Sequence, residues 1–134
     1  MDQSSARLSI RVDLANGRFG PGKARLLDAI AETGSISAAA RRIGMSYARA
    51  WHLTEDMNTC FREPPVATQA GGSRGGGAEL TAAGREVLRI YAEITERAER
   101  AAARDLAALA GISRAANSTP GGSGPRRGSG RTAR

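Results

Sequence analysis

Aromatic residues are scarce in this chain of 134 residues: two Phe, two Tyr and one Trp. With so few large side chains and abundant Ala, a core has to be built from helices that meet through small residues. Cys60 is the only cysteine, which excludes an intrachain disulfide and any multi-cysteine metal site and leaves a buried thiol on a helix as the expected role. His52 is the only histidine, so a metal site lacks a second imidazole. No run approaches the ~18 apolar residues of a membrane span, and no apolar stretch follows the N-terminus as a secretory signal requires; a cytoplasmic protein is expected. No nucleophile–base pair or carboxylate cluster stands in a pocket-forming context, so an enzyme is the least favoured class and no cofactor is called for.

Acidic residues also run out towards the C-terminus. The formal net charge is +7, but residues 1–111 carry 15 Lys/Arg against 13 Asp/Glu, whereas 112–134 carry five Arg and no acid. Most of the net charge therefore belongs to the tail. DNA binding has to be argued from where charges lie within the folded part.

Residues 1–7 are polar and expected to be flexible. Leu8, Ile10, Val12 and Leu14 alternate with polar residues, the period-two pattern of a half-buried strand, until Asn16-Gly17 breaks it. Pro21 suits the first turn of the next helix. Leu26, Leu27, Ile30 and Ala31 then recur at helical spacing over 23–33, with charged residues on the other side. Gly34 ends that helix and Ser35 can cap a short Ala-rich one over 37–43. Gly44 provides the left-handed turn, and Ser46 caps a second helix that Pro64-Pro65 stops. Two helices joined through such a turn are a helix-turn-helix, which presents its second helix to the DNA major groove.

Val66–Gln69 and Ala78–Leu80 read as strands of a hairpin with a Gly-rich tip. A phosphate-binding glycine loop is the competing idea, but the stretch lacks the Lys-Ser/Thr ending and the strand–helix frame. Thr81 caps a helix expected to run to about Ala110. Its stripe of Val87, Tyr91, Ile94, Ala98, Ala101 or Ala102, and Leu109, interrupted at Asp105, needs a partner, and a second copy of the same helix is the economical one. Arg89–Glu93, Glu93–Arg97 and Glu96–Arg100 are spaced to pair along its exposed faces. Residues 111–134, rich in Ser, Gly, Pro and Arg, read as a disordered basic tail.

The second helix divides into two faces. Ala50, Leu53, Thr54, Met57, Cys60 and Phe61 share one arc and should pack inward. Ala48, His52, Glu55 and Thr59 lie opposite, flanked by Tyr47 and Arg49. A phosphate-lined groove repels Glu55 and Asp56, so only the N-terminal half should enter it. Arg49 is the candidate base reader, since a guanidinium engages guanine in bidentate fashion; Ser46 and Tyr47 suit phosphates. Trp51, at the edge of the apolar arc, is expected to pack. The candidate DNA-contacting set is Ser35, Arg41, Arg42, Ser46, Tyr47, Ala48, Arg49 and His52, with Arg74 at the hairpin tip. Each has a structural alternative: capping for the serines, edge packing for Tyr47, and a favourable helix-end charge for Arg41 and Arg42.

The expected architecture is mainly α: a winged helix-turn-helix over 8–110 with a β-hairpin wing and a long C-terminal dimerisation helix over 81–110. GSISAAARRIGMSYARAW, then GGSRGGGAELTAAGREVL and a long helix, resembles the DNA-binding domain of ModE-type molybdate-responsive transcription regulators. The resemblance spans about Leu8 to Leu109, and its most specific parts are Ser46, Tyr47, Ala50, Trp51, the Met57-Asn58 pair and Leu80-Thr81. LysR-type regulators share the start and the L-T-x-x-G motif at Leu80, Thr81 and Gly84, but match the wing less well. The resemblance implies a homodimer on a palindromic operator in double-stranded DNA and control of molybdenum-related genes. The chain departs from it after the long helix: ModE-type regulators often carry C-terminal molybdate-binding domains, whereas residues 112–134 offer no oxyanion pocket, so no molybdate binding by this chain is expected. The alternatives are a LysR-like stand-alone DNA-binding protein and a winged-helix adaptor for another protein.

Overall fold

The computed structural model describes residues 6–69 and 77–114. Within them the order is β1 (Val12–Leu14), β2 (Gly17–Phe19), α1 (Pro21–Thr33), α2 (Ile36–Ile43), α3 (Tyr47–Cys60), β3 (Val66–Gln69), β4 (Gly77–Leu80), α4 (Ala82–Ala101) and α5 (Ala103–Ile112). This is the expected winged helix-turn-helix. The N-terminal segment expected to be flexible, apart from Ala6 and Arg7, and almost all of the expected basic tail lie outside the described residues.

The core sits where α1, α2 and α3 cross. Leu26, Leu27, Ile30 and Met57 are wholly buried, each worth ~1.5–3 kcal/mol relative to exposure, and Ala39, Ala40 and Ala50 let the backbones approach. Pro21 occupies the first turn of α1 as expected. The phase of that helix differs by a step from the expected one: Ala29 is buried and Ala31 exposed, because the buried stripe follows Leu26, Leu27 and Ile30 rather than continuing past Ile30.

The N-terminal alternation is present in burial at Leu8, Ile10 and Val12 but fails at Leu14, which is 39% exposed, and only Val12–Leu14 is a strand. It pairs with Gly17–Phe19, a strand the sequence reading did not place, in register Val12–Phe19 and Leu14–Gly17. Phe19 then inserts edge-on between Phe61 and Tyr91, at ring-centre distances of 6.1 and 5.1 Å. Upstream, the Tyr91 hydroxyl donates to the Ile10 carbonyl (2.6 Å) and the Leu8 amide donates to Glu99 (3.2 Å), strapping residues 8–10 along α4.

β3 and β4 pair antiparallel, Val66 opposite Leu80 and Gln69 opposite Gly77. The Ala78 amide donates to the Gly34 carbonyl (2.9 Å), tying the wing to the end of α1. At its other end the Thr81 amide donates to the Pro65 carbonyl (2.9 Å), and the Thr81 hydroxyl donates to Pro64 (2.7 Å) while accepting from the Gly84 amide (3.0 Å). Gly84 is the price of that closeness: a Cβ there would stand 2.3 Å from the Pro65 carbonyl oxygen.

The C-terminal helix is not continuous. α4 ends at Ala101 and α5 starts at Ala103, with Ala102 at φ −99° and ψ 11° between them. Asp105, which interrupts the apolar stripe, falls in the first turn of α5, where a carboxylate is favourable. Arg97 pairs with Glu93 (3.1 Å) and Arg100 with Glu96 (3.6 Å) as expected, but Arg89 turns to Glu86 rather than Glu93, making two bonds of 3.1 and 2.8 Å. A two-pronged contact at i,i+3 outcompetes the single i,i+4 one.

Candidate nucleic-acid interface

The turn between α2 and α3 is fixed by its backbone. Gly44 adopts φ 73° and ψ 37°, a left-handed conformation that an L side chain resists, and the Met45 amide donates to the Ala40 carbonyl (2.9 Å). Ser46 then opens α3, its hydroxyl oxygen accepting from the Arg49 amide (3.1 Å). Ser35 does the same for α2 through the Ala38 amide (2.9 Å). Both serines therefore hold helix starts, and each keeps a hydroxyl proton to donate elsewhere.

Ala50, Thr54 and Met57 anchor α3 from within, and the Thr54 hydroxyl is satisfied by the Ala50 carbonyl (2.9 Å). Asn58 fastens the helix to the wing. Its amide nitrogen donates to the Val66 carbonyl and its carbonyl oxygen accepts from the Val66 amide, both at 3.1 Å. Leu53, Cys60 and Phe61 are half-buried on the same side, as the helical projection required. The outward face carries Tyr47, Ala48, Arg49 and His52 in its first half and Glu55, Asp56 and Thr59 in its second, all exposed.

Trp51 departs from expectation. It is 38% exposed, and the core closes without it around Ala50 and Leu53. Together with Tyr47 (55% exposed) one turn earlier, it gives the outer surface of α3 an apolar edge. Position at the boundary of an arc does not settle burial; whether another element packs on that side does.

On α2, Arg42 pairs with Glu32 of α1, and the Arg41 guanidinium reaches Ser37 (3.4 Å). Both arginines stay exposed at the helix end where they also favour the dipole. Arg74 lies outside the described residues. Of the proposed dimer residues, Val87 and Tyr91 are half-buried against their own core and Ala98 is half-buried, while Ile94 is open. Ile90 was missed: it is 44% exposed and completes, with Val12, Leu14, Phe19, Phe61 and Ile94, an apolar hollow on the surface of α4.

No family model matches the chain. Among curated proteins it is similar to the molybdenum-pterin-binding protein MopB of Rhodobacter capsulatus, 40% identical over 93 residues that make up 69% of this chain and 34% of that protein. The molybdenum transport protein ModE of Azotobacter vinelandii is 40% identical over 86 residues, 64% of this chain and 32% of the relative. The DNA-binding transcriptional dual regulator ModE of Escherichia coli K12 is 39% identical over 71 residues, 53% and 27% of the two chains. The chain thus spans about a third of the length of the curated relatives it matches first. Among solved structures it is similar to the DNA-binding domain of CbnR crystallised with DNA, with TM-score 0.51 and 28% identity over 66% of this chain and 95% of that one.

Proposed function

We propose that this chain, which shares its winged helix-turn-helix module with the ModE-type transcription regulators, binds duplex DNA sequence-specifically as a homodimer and regulates transcription in the cytoplasm. The observation that carries the reading is α3 itself: a helix capped by Ser46, locked by Asn58 and Met57, and left with Tyr47, Ala48, Arg49 and His52 facing outward. A helix fixed from behind and bare in front is what a major groove accepts. Identities of 40% and 39% to ModE-named proteins, against 28% to the CbnR domain, favour the ModE assignment.

Arg49 reads a base; Ser46, Tyr47, Ser35, Arg41 and Arg42 position the backbone, with Arg74 of the wing assigned the same task. A second copy meets α4 and α5 through Ile90, Ile94 and Leu109, which are 39–59% exposed. Two copies of α3 then address a palindromic operator, and molybdenum-related genes are the natural targets. The reading gives this chain no cofactor and no molybdate site.

Selection of bound sequences from a random duplex pool, with and without molybdate, tests it. A palindromic consensus that molybdate does not change is expected. Arg49→Ala should cost ~1–3 kcal/mol at one base position per half-site and relax preference there. Recovery of no consensus would refute the proposal and leave the protein-interaction adaptor standing.

A further inference from the structure

A cleft of about 580 Å³ runs between the β1–β2 hairpin and one side of α3. Arg11, Arg18 and Lys23 line one wall; Arg49 and Asp56 of α3 line the other. The Lys23 ammonium donates to the Arg18 main-chain carbonyl (2.7 Å), which stitches the first turn of α1 to β2 and fixes that ammonium beside the strand that carries Arg18. Arg11 is paired with Asp13 at 3.1 Å, with both side chains more than half exposed. Four cations therefore face one carboxylate in the cleft and one at its edge.

The geometry points to the N-terminal hairpin as a second clamp on the DNA backbone, with Arg18 and Lys23 contacting phosphates of the strand that runs beside α3. It rests on the DNA-binding reading above. An α-helix with its side chains is ~10–12 Å across, and the major groove is ~12 Å wide, so a helix seated there has a sugar–phosphate backbone along each side. α2 with Arg41 and Arg42 attends one side. The hairpin lies against α3 itself, with Gly17 beside Cys60 and the cleft opening onto Arg49, Leu53 and Asp56, residues three and four apart along a single stripe. A cationic wall at that place meets the backbone before any other ligand does, and it restores the positive field that Glu55 and Asp56 remove from the far half of α3.

The test uses the full chain and a duplex recovered by the selection, titrated over a range of KCl. Arg18→Gln with Lys23→Gln is expected to lower the slope of log affinity against log salt by about 2 and to weaken binding about 10- to 100-fold at modest salt. The ratio between the selected and a scrambled duplex should stay unchanged, because phosphate contacts carry no base information. Arg18→Gln alone leaves the bond to its carbonyl intact and should lower the slope by about 1; melting curves matching wild type confirm its fold. An unchanged slope overturns the inference while leaving DNA binding in place. An equal fall for Arg104→Gln on α5 also overturns it, since the effect would then belong to net charge. If the unmodified chain binds no duplex, the underlying reading fails and the clamp with it.

Discussion

Gly84→Ala tests the tightest site that a glycine occupies among the described residues. The added methyl would stand 2.3 Å from the Pro65 oxygen, 3.1 Å from its carbonyl carbon and 3.3 Å from its Cα, all backbone atoms that cannot rotate away. A carbon–oxygen contact relaxes at about 3.3 Å, so α4 must retreat by roughly 1 Å. That retreat stretches the bonds from Thr81 to Pro64 and Pro65, now 2.7 and 2.9 Å, each worth ~0.5–1.5 kcal/mol. Over-packing of this kind costs about 1–3 kcal/mol, and the better helix propensity of Ala returns at most ~1 kcal/mol in the interior and less in the first turn. The expected net loss is ~1–3 kcal/mol, a fall in Tm of roughly 5–20 °C with an unchanged denaturant slope. Urea unfolding followed by far-UV circular dichroism measures it. A midpoint equal to or above wild type would refute the reasoning, for it would mean that α4 slides freely past Pro65.

Replacing Ile90 and Ile94 together by Asp should abolish self-association in sedimentation equilibrium and leave the far-UV circular dichroism spectrum of the separated chain like that of wild type, because both side chains are already 44% and 39% exposed. Retained association would move the interface elsewhere. Burial, and secondarily Glu32, raise the Asp28 carboxyl above its ordinary 3.8. The native state then holds this proton more tightly than the unfolded chain, so stability is lost as pH rises through that range. Asp28→Asn should accordingly raise Tm at neutral pH and give no gain where carboxylates are protonated; an equal gain in acid would assign the effect to something other than charge.

The helix-turn-helix was legible because its signals are local. Ser35, Gly44 and Ser46 each do in the fold what their side chains or lack of one dictate, and Pro64-Pro65 follow the end of α3. The wing strands were legible for the same reason. β2 was not: three residues beginning with Gly carry no periodic signal, and Phe19 reveals its place only through Phe61 and Tyr91, far away in sequence. The break at Ala102 has no Gly or Pro to announce it. Within the candidate site, helical projection sorted α3 correctly except for Trp51, whose exposure depends on which elements lie beside the helix. The cationic cleft was invisible because Arg18, Lys23 and Arg49 come from three separate elements.

The strap of residues 8–10 along α4 also bears on the order of assembly. Its two hydrogen bonds join positions 81 and 91 residues apart, so the segment is fastened by a helix synthesised long after it. Closing a loop of that length costs more entropy than any turn within the helix-turn-helix. Helices α1 to α3 can gather as soon as they emerge, whereas the N-terminal segment must wait for Tyr91 and Glu99. The packing of the hairpin flanking α3 is therefore completed late, and the outer surface beside α3 reaches its final shape only once α4 is in place.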